Sequence, residues 1–224
     1  MRNNKIRSRL LLIVLVLALF VPAANGYALT QKQKAINAYK TMLSKSKVSI
    51  LSSGTEYYDK KQGKGVIYKP TDSSKVQFAI AYIDNNDVPE LIVKRSDGLY
   101  AIFTYKNNQI HRIKKGNTWD RVVGYYNKTG GYKVYYSTEG ANYYNEYYQL
   151  TSSGTTKKFM KKVFVDPTTG KEYHVDYSAF NKGMPFDISY ASFKSRFIAL
   201  TKSKTLTGVK YHSNNATNRK NYLK

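Results

Sequence analysis

Apolar residues recur along this chain in three rhythms. The first is unbroken: every residue from Leu10 to Val21 is apolar. The second has helical spacing. Leu29, Ile36, Tyr39 and Leu43 share one helical face and predict a helix over about 30–44, with Thr30 and Gln33 placed as a capping box. Tyr190, Phe193, Phe197 and Leu200 predict another over about 189–201, with Ser189 as its N-cap. A short polar helix over about 215–223 is expected to close the chain. Between these helices the rhythm is that of strands.

Those strands are predicted at Phe78–Tyr82, Leu91–Val93, Tyr100–Tyr105, Ile110–Ile113, Val122–Tyr126, Tyr132–Tyr136, Tyr143–Leu150, Lys158–Val165 and Glu172–Tyr177, with a short one at Val66–Tyr68. Turn residues separate them: Asn107-Asn108, Asn127 to Gly131, Glu139-Gly140, Ser153-Gly154 and Asp166 to Gly170. Short, evenly spaced strands joined by such turns predict an antiparallel meander. The fold class expected is therefore α+β: a curved antiparallel sheet, with one or two propeller-like blades as its other form, flanked by an N-terminal and a C-terminal helix. No linker divides residues 27–224 into two domains.

The unbroken run reads as the core of a secretory signal. Arg2, Lys5, Arg7 and Arg9 precede it, Pro22 ends it, and Ala23, Ala24, Gly26 and Ala28 supply small residues for cleavage near position 26. Its 12 apolar residues fall short of the about 20 that a permanent membrane helix needs. The expected product is secreted, works outside the cytoplasm and carries no transmembrane segment.

Export changes the meaning of the composition. The chain has no cysteine, so thiol catalysis, disulfides and the common zinc sites are excluded. Its net charge is +23; four basic residues and no acidic one leave with residues 1–26, so +23 falls to +19. Such a field favours anionic material. Outside a cell this means phospholipid headgroups, acidic cell-wall polymers or acidic glycans. Only 8 of the 37 cationic residues are arginine, and the lysines are spread along the whole chain, as in a surface charged for solubility. Nucleic acid is not expected as a partner, since no nucleic-acid motif is present.

Of 22 tyrosines, nine lie between positions 125 and 148: Tyr132 and the four pairs Tyr125-Tyr126, Tyr135-Tyr136, Tyr143-Tyr144 and Tyr147-Tyr148. Neighbours on a strand face opposite sides, so each pair is expected to place one ring in the core and one outside. The outer rings would offer sugars an aromatic face, or simply a half-buried sheet surface.

One loop carries possible metal chemistry: Tyr82-Ile-Asp84-Asn85-Asn86-Asp87-Val88-Pro89-Glu90-Leu91. It resembles the aspartate-rich calcium loops of integrin-type FG-GAP and VCBS repeats and of dockerins. The resemblance implies calcium held by Asp84, Asn86, Glu90 and the Val88 carbonyl. Two positions depart from it. Tyr82 stands where a principal aspartate belongs, and Asp87 stands where glycine turns the chain, its carboxylate replacing part of the lost ligand. The same residues also fit a turn whose side chains bond their own backbone.

A wider resemblance covers nearly the whole mature chain. The Ala38-Tyr39-Lys40 helix, Phe78 to Asp84 with Pro89-Glu-Leu-Ile92, the tyrosine-rich meander, and the closing Tyr211-His212, Asn215, Asn218-Arg219 and Tyr222-Leu223 are similar to a group of secreted proteins of Gram-positive anaerobes. This implies export and a fold type, and no reaction.

No catalytic constellation stands out. His111, His174 and His212 are far apart, and His174 with Asp176 has no serine nucleophile placed beside it. The leading expectation is a non-catalytic secreted protein that binds anionic envelope polymers or glycans. A hydrolase of wall or glycan substrates, with Glu90, Asp84 or Asp120 as its acids, is an alternative. A structural or inhibitor-like partner of another exported protein is a third.

Overall fold

The computed structural model describes residues 29–59, 62–137, 143–151, 156–166, 171–176 and 186–224. The chain divides into two compact units, residues 1–30 and 31–224, and every described helix and strand lies in the second.

Helix α1 spans Gln31–Ser44. Strands β1 (Lys47–Val48), β2 (Glu56–Asp59), β3 (Lys64–Ile67) and β4 (Thr71–Asp72) form two small antiparallel pairs, β1 with β4 and β2 with β3. Then come β5 (Val76–Ala81), β6 (Glu90–Arg95), β7 (Tyr100–Lys106) and β8 (Gln109–Lys115). The next group is β9 (Asp120–Tyr125), β10 (Gly131–Ser137), β11 (Tyr143–Leu150), β12 (Thr156–Asp166), β13 (Lys171–Asp176) and β14 (Phe186–Asp187). Helix α2 (Tyr190–Thr201), β15 (Thr207–Gly208), β16 (His212–Ser213) and helix α3 (Ala216–Tyr222) complete the chain. The α+β class, the antiparallel meander and the helices at both ends are as the sequence predicts, with ends shifted by one or two residues.

The meander does not form one curved sheet or a set of blades. It breaks after β8 into a five-stranded sheet, ordered β16-β5-β6-β7-β8, and a seven-stranded sheet, ordered β14-β13-β12-β11-β10-β9-β15. A shared core joins their faces: Ala79, Ala81, Ile92, Tyr100 and Ile102 from the first pack with Val122, Tyr132, Val134, Tyr148 and Leu150 from the second. The break has a local cause. Asn117 Oδ1 accepts the backbone N–H groups of Trp119 (2.8 Å) and Asp120 (3.1 Å), a turn that carries the chain off the first sheet.

Helices cover the two outer faces. Ala35, Ile36, Tyr39 and Leu43 on α1 meet Val76, Phe78, Leu91, Val93, Ala101 and Phe103 of the first sheet. These alternate along β5, β6 and β7 with the residues that face the second sheet, so the three strands are apolar on both sides, as strands buried on both faces must be. On the far side, Phe193 and Leu200 of α2 pack with Tyr126 and Tyr147. Among the described residues, no helix is long and apolar enough to cross a membrane.

Candidate functional site

The loop between β5 and β6 is built from side chains that bond within it. Asp84 Oδ1 accepts the Asn86 N–H (3.1 Å), its Oδ2 accepts from Asn86 Nδ2 (2.7 Å), and Asn86 Oδ1 accepts the Val88 N–H (2.7 Å). Such side-chain turns satisfy backbone donors where no strand partner exists. The second sheet then clamps the loop. Lys128 N–H donates to the Tyr82 carbonyl (2.9 Å), Gly130 N–H to the Ile83 carbonyl (2.7 Å), and Lys128 Nζ pairs with Asp87 at 2.9 Å. Below, the Tyr39 hydroxyl of α1 donates to the Pro89 carbonyl at 2.9 Å.

Glu90 opens β6 and is fully buried on the face toward the second sheet. Its Oε2 accepts the Ile83 N–H at 2.9 Å, and Thr104 Oγ1 lies 3.4 Å from Oε1. Burial pushes its carboxyl up to about 8, and the Asp84 carboxylate adds to the rise; hydrogen bonds from the Ile83 and Glu90 amides and from Thr104 oppose it. Burial also raises Asp84, against the Asn86 amide. Contact with the Lys128 ammonium lowers exposed Asp87.

This arrangement does not suit calcium. Glu90 directs its oxygens into the core, Asp87 faces a cation, and Asp84 and Asn86 serve the loop's own backbone and amide. What remains falls short of the six to eight oxygens calcium takes. Among the described residues no three histidine, cysteine or acidic side chains come together as a metal site. Melting temperatures in millimolar calcium and in chelator are expected to coincide within about 1 °C; a rise of several degrees with calcium would show that the loop rearranges around the ion.

The tyrosines are distributed differently from the alternating expectation. Tyr126, Tyr147 and Tyr148 are all buried. Both members of the Tyr147-Tyr148 pair are covered because α2 lies on one side of β11 and the first sheet on the other. Tyr125, Tyr135, Tyr136 and Tyr144 are half-buried, and the side chain of Tyr143 lies outside the described residues. Tyr136 and Tyr144 stack on each other at 4.4 Å, and the Arg121 guanidinium sits 4.7 Å from the Tyr135 ring. Among the described rings, strict alternation fails at Tyr147-Tyr148, where both are covered.

The remaining singled-out groups do not converge on the loop. His174 is buried against Phe193, with ring centres 4.4 Å apart. His212 stacks on Tyr222 at 3.5 Å, and His111 is an exposed residue of β8. Asp120 begins β9, where its charge acts on Tyr100.

A cleft of about 500 Å³ opens beside the loop, between Asp84 and the turn joining β7 to β8. Gln31, Asn86, Asn107 and Asn108 line it with Asp84 and Tyr105. Asn107 and Asn108 have φ values of 52° and 59°, the left-handed pair that a two-residue hairpin turn requires and that asparagine tolerates. The sequence identifies these asparagines as a turn; nothing local shows that the turn stands opposite Asp84. Comparison of the chain with family models, curated proteins and solved structures returns no match in any of the three.

Proposed function

We propose that the protein is exported and binds, without catalysis, glycans or anionic polymers of the cell envelope, and that the cleft beside the Asp84 loop receives the glycan. The observation that carries this reading is the set of three carboxamides, Gln31, Asn107 and Asn108, around one open cleft, the fourth, Asn86, being bonded within the loop. A sugar hydroxyl both donates and accepts, and so does a carboxamide, so each Asn or Gln matches it in either sense. The half-buried ring of Tyr105 adds an apolar surface for a sugar's C–H face. The charge of +19 that remains once residues 1–26 leave draws the protein towards acidic material before any specific contact forms.

The hydrolase reading has one observation in its favour: Glu90 holds its proton near neutral pH beside a second carboxyl, as a general acid does. Its complete burial counts against it, because the carboxyl meets Thr104 and the Ile83 amide instead of the cleft.

Replacing Asn107 and Asn108 together by glycine tests the binding role. Glycine keeps the positive φ of the turn and removes both carboxamides. Retention on purified cell-wall glycan is expected to fall about tenfold, the effect of losing one or two hydrogen bonds, while the melting temperature stays within about 3 °C. Unchanged retention by a folded variant would sink the proposal.

A further inference from the structure

A second cavity of about 500 Å³ lies at the opposite end of β5 and β6 from the glycan cleft. It is lined by Lys75, Lys94, Gln77, Ser74, Ser96 and Ser213 around the buried Val76, and among the described residues no carboxylate lines it. Sheet register builds its floor. Ser213 pairs with Gln77, Gln77 with Lys94, and Lys94 with Tyr100, a single row across β16, β5, β6 and β7. Residues directly opposite on neighbouring strands share a face, so the row aligns a hydroxyl, an amide and an ammonium.

Lys94 is the unusual member. It is half-buried, its Nζ stands 4.3 Å from the centre of the Tyr211 ring, and among the described residues no ion pair engages it. Burial lowers its affinity for its proton, and the charge of Arg121 lowers it further. A desolvated cation without a counter-ion is costly, and a bound anion removes that cost. Lys75 pairs with Asp72 at 3.2 Å, but both side chains are more than half exposed. Such a pair is worth little and exchanges readily for another anion.

We propose that this cavity binds a phosphate group, with Lys94 as its fixed cation and Lys75 as its mobile one. The hydroxyls of Ser74, Ser96 and Ser213 and the amide of Gln77 supply the neutral donors. Phosphate suits this set better than carboxylate. The lining offers ammonium, hydroxyl and amide donors, and no guanidinium fork lines the cavity to match a planar carboxylate. The phosphate is that of a soluble ester or a phosphodiester polymer. No exposed large hydrophobic residue lines the cavity to enter a membrane. This site is separate from the glycan cleft, and either can fail without the other.

The test is a titration of sodium phosphate and of glycerol phosphate at constant ionic strength, followed by calorimetry and by amide chemical shifts. Saturable binding is expected, with shifts centred on Gln77, Lys94, Ser96 and Ser213. Lys94→Gln should weaken it about tenfold, while Lys194→Gln, which removes the same charge from the exposed face of α2, leaves it unchanged. Ser96→Ala with Ser213→Ala, both exposed, should weaken it about threefold and serves if Lys94→Gln loses its fold. Equal affinities in the two lysine variants, or shifts spread over all the lysines, would overturn the site. So would retention on phosphatidylglycerol vesicles that depends on Lys94 and resists competition by glycerol phosphate, since the ligand would then be a membrane surface.

Discussion

Replacing Glu90 by glutamine is expected to raise stability by about 1 kcal/mol at pH 5 and by on the order of 5 kcal/mol at pH 8. The sign follows from where the proton sits. Folding raises the Glu90 carboxyl to about 8, from its ordinary value near 4.3 in the unfolded chain. Between those values the folded protein keeps a proton that the unfolded chain releases, so stability falls as pH rises from about 4.5 to 8 and levels off above. Glutamine is neutral throughout. Its carbonyl oxygen accepts the Ile83 N–H, and its amide reaches Thr104, so it reproduces the protonated acid without its titration. Denaturant unfolding of both proteins across pH 5–9 gives the comparison, and titrations common to the two cancel in the difference. Parallel curves would show that Glu90 is not buried as a neutral acid. Above pH 8 the wild-type loop should also loosen first, because Glu90 holds the Ile83 amide at the start of the Asp84 loop.

Gly116→Ala is expected to destabilise the protein by about 3 kcal/mol and to lower the melting temperature by roughly 6–12 °C. A Cβ at position 116 would stand 1.8 Å from Tyr100 Cε1, 2.3 Å from Cζ and 2.4 Å from Cδ1. The ring cannot step aside. Tyr100 is fully buried between the sheets, and Gly116 is held to it by a 2.9 Å hydrogen bond from its N–H to the Tyr100 carbonyl. Tyr100→Leu in the same chain frees the space, so the double variant should lose less than the two single losses combined. Among the described residues the Tyr100 hydroxyl has no hydrogen-bond partner, so Tyr100→Phe alone should cost less than about 0.5 kcal/mol. A melting temperature for Gly116→Ala within about 2 °C of the parent would mean that the sheets do not meet as closely as described.

The two predictions share a cause. Both residues lie where the first sheet meets another layer, and both are plain in the sequence: an acid in a polar loop motif and a glycine in a turn. Their importance comes from what the fold places against them.

Local features are well marked in the chain. Ser189 caps α2, its Oγ accepting the Ser192 N–H at 3.2 Å, and Asn215 caps α3 by accepting the Asn218 N–H at 2.8 Å. Ile36, Tyr39 and Leu43 of α1, Phe193 and Leu200 of α2, the Asn107-Asn108 turn and the order of strands from β5 to β13 follow from spacing within a few residues. Leu29 and Tyr190, assigned to the same helical faces, are exposed, because they stand at the helix starts, before the turns that the cores cover. Such features depend on interactions between near neighbours, so the sequence alone establishes them. Periodicity reports that a face is apolar; it does not report what covers it. The division of the meander into two packed sheets, the burial of both Tyr147 and Tyr148, and the inward turn of Glu90 all depend on that cover. The cleft beside the Asp84 loop and the cavity lined by Lys94 depend on it more. Asn108 faces the Asp84 loop, and Ser213 stands beside Gln77, only because strand register brings together residues far apart in the chain. Burial and long-range pairing are settled jointly by the whole chain, which is why the pattern of residues fixes the elements and the packing fixes the sites.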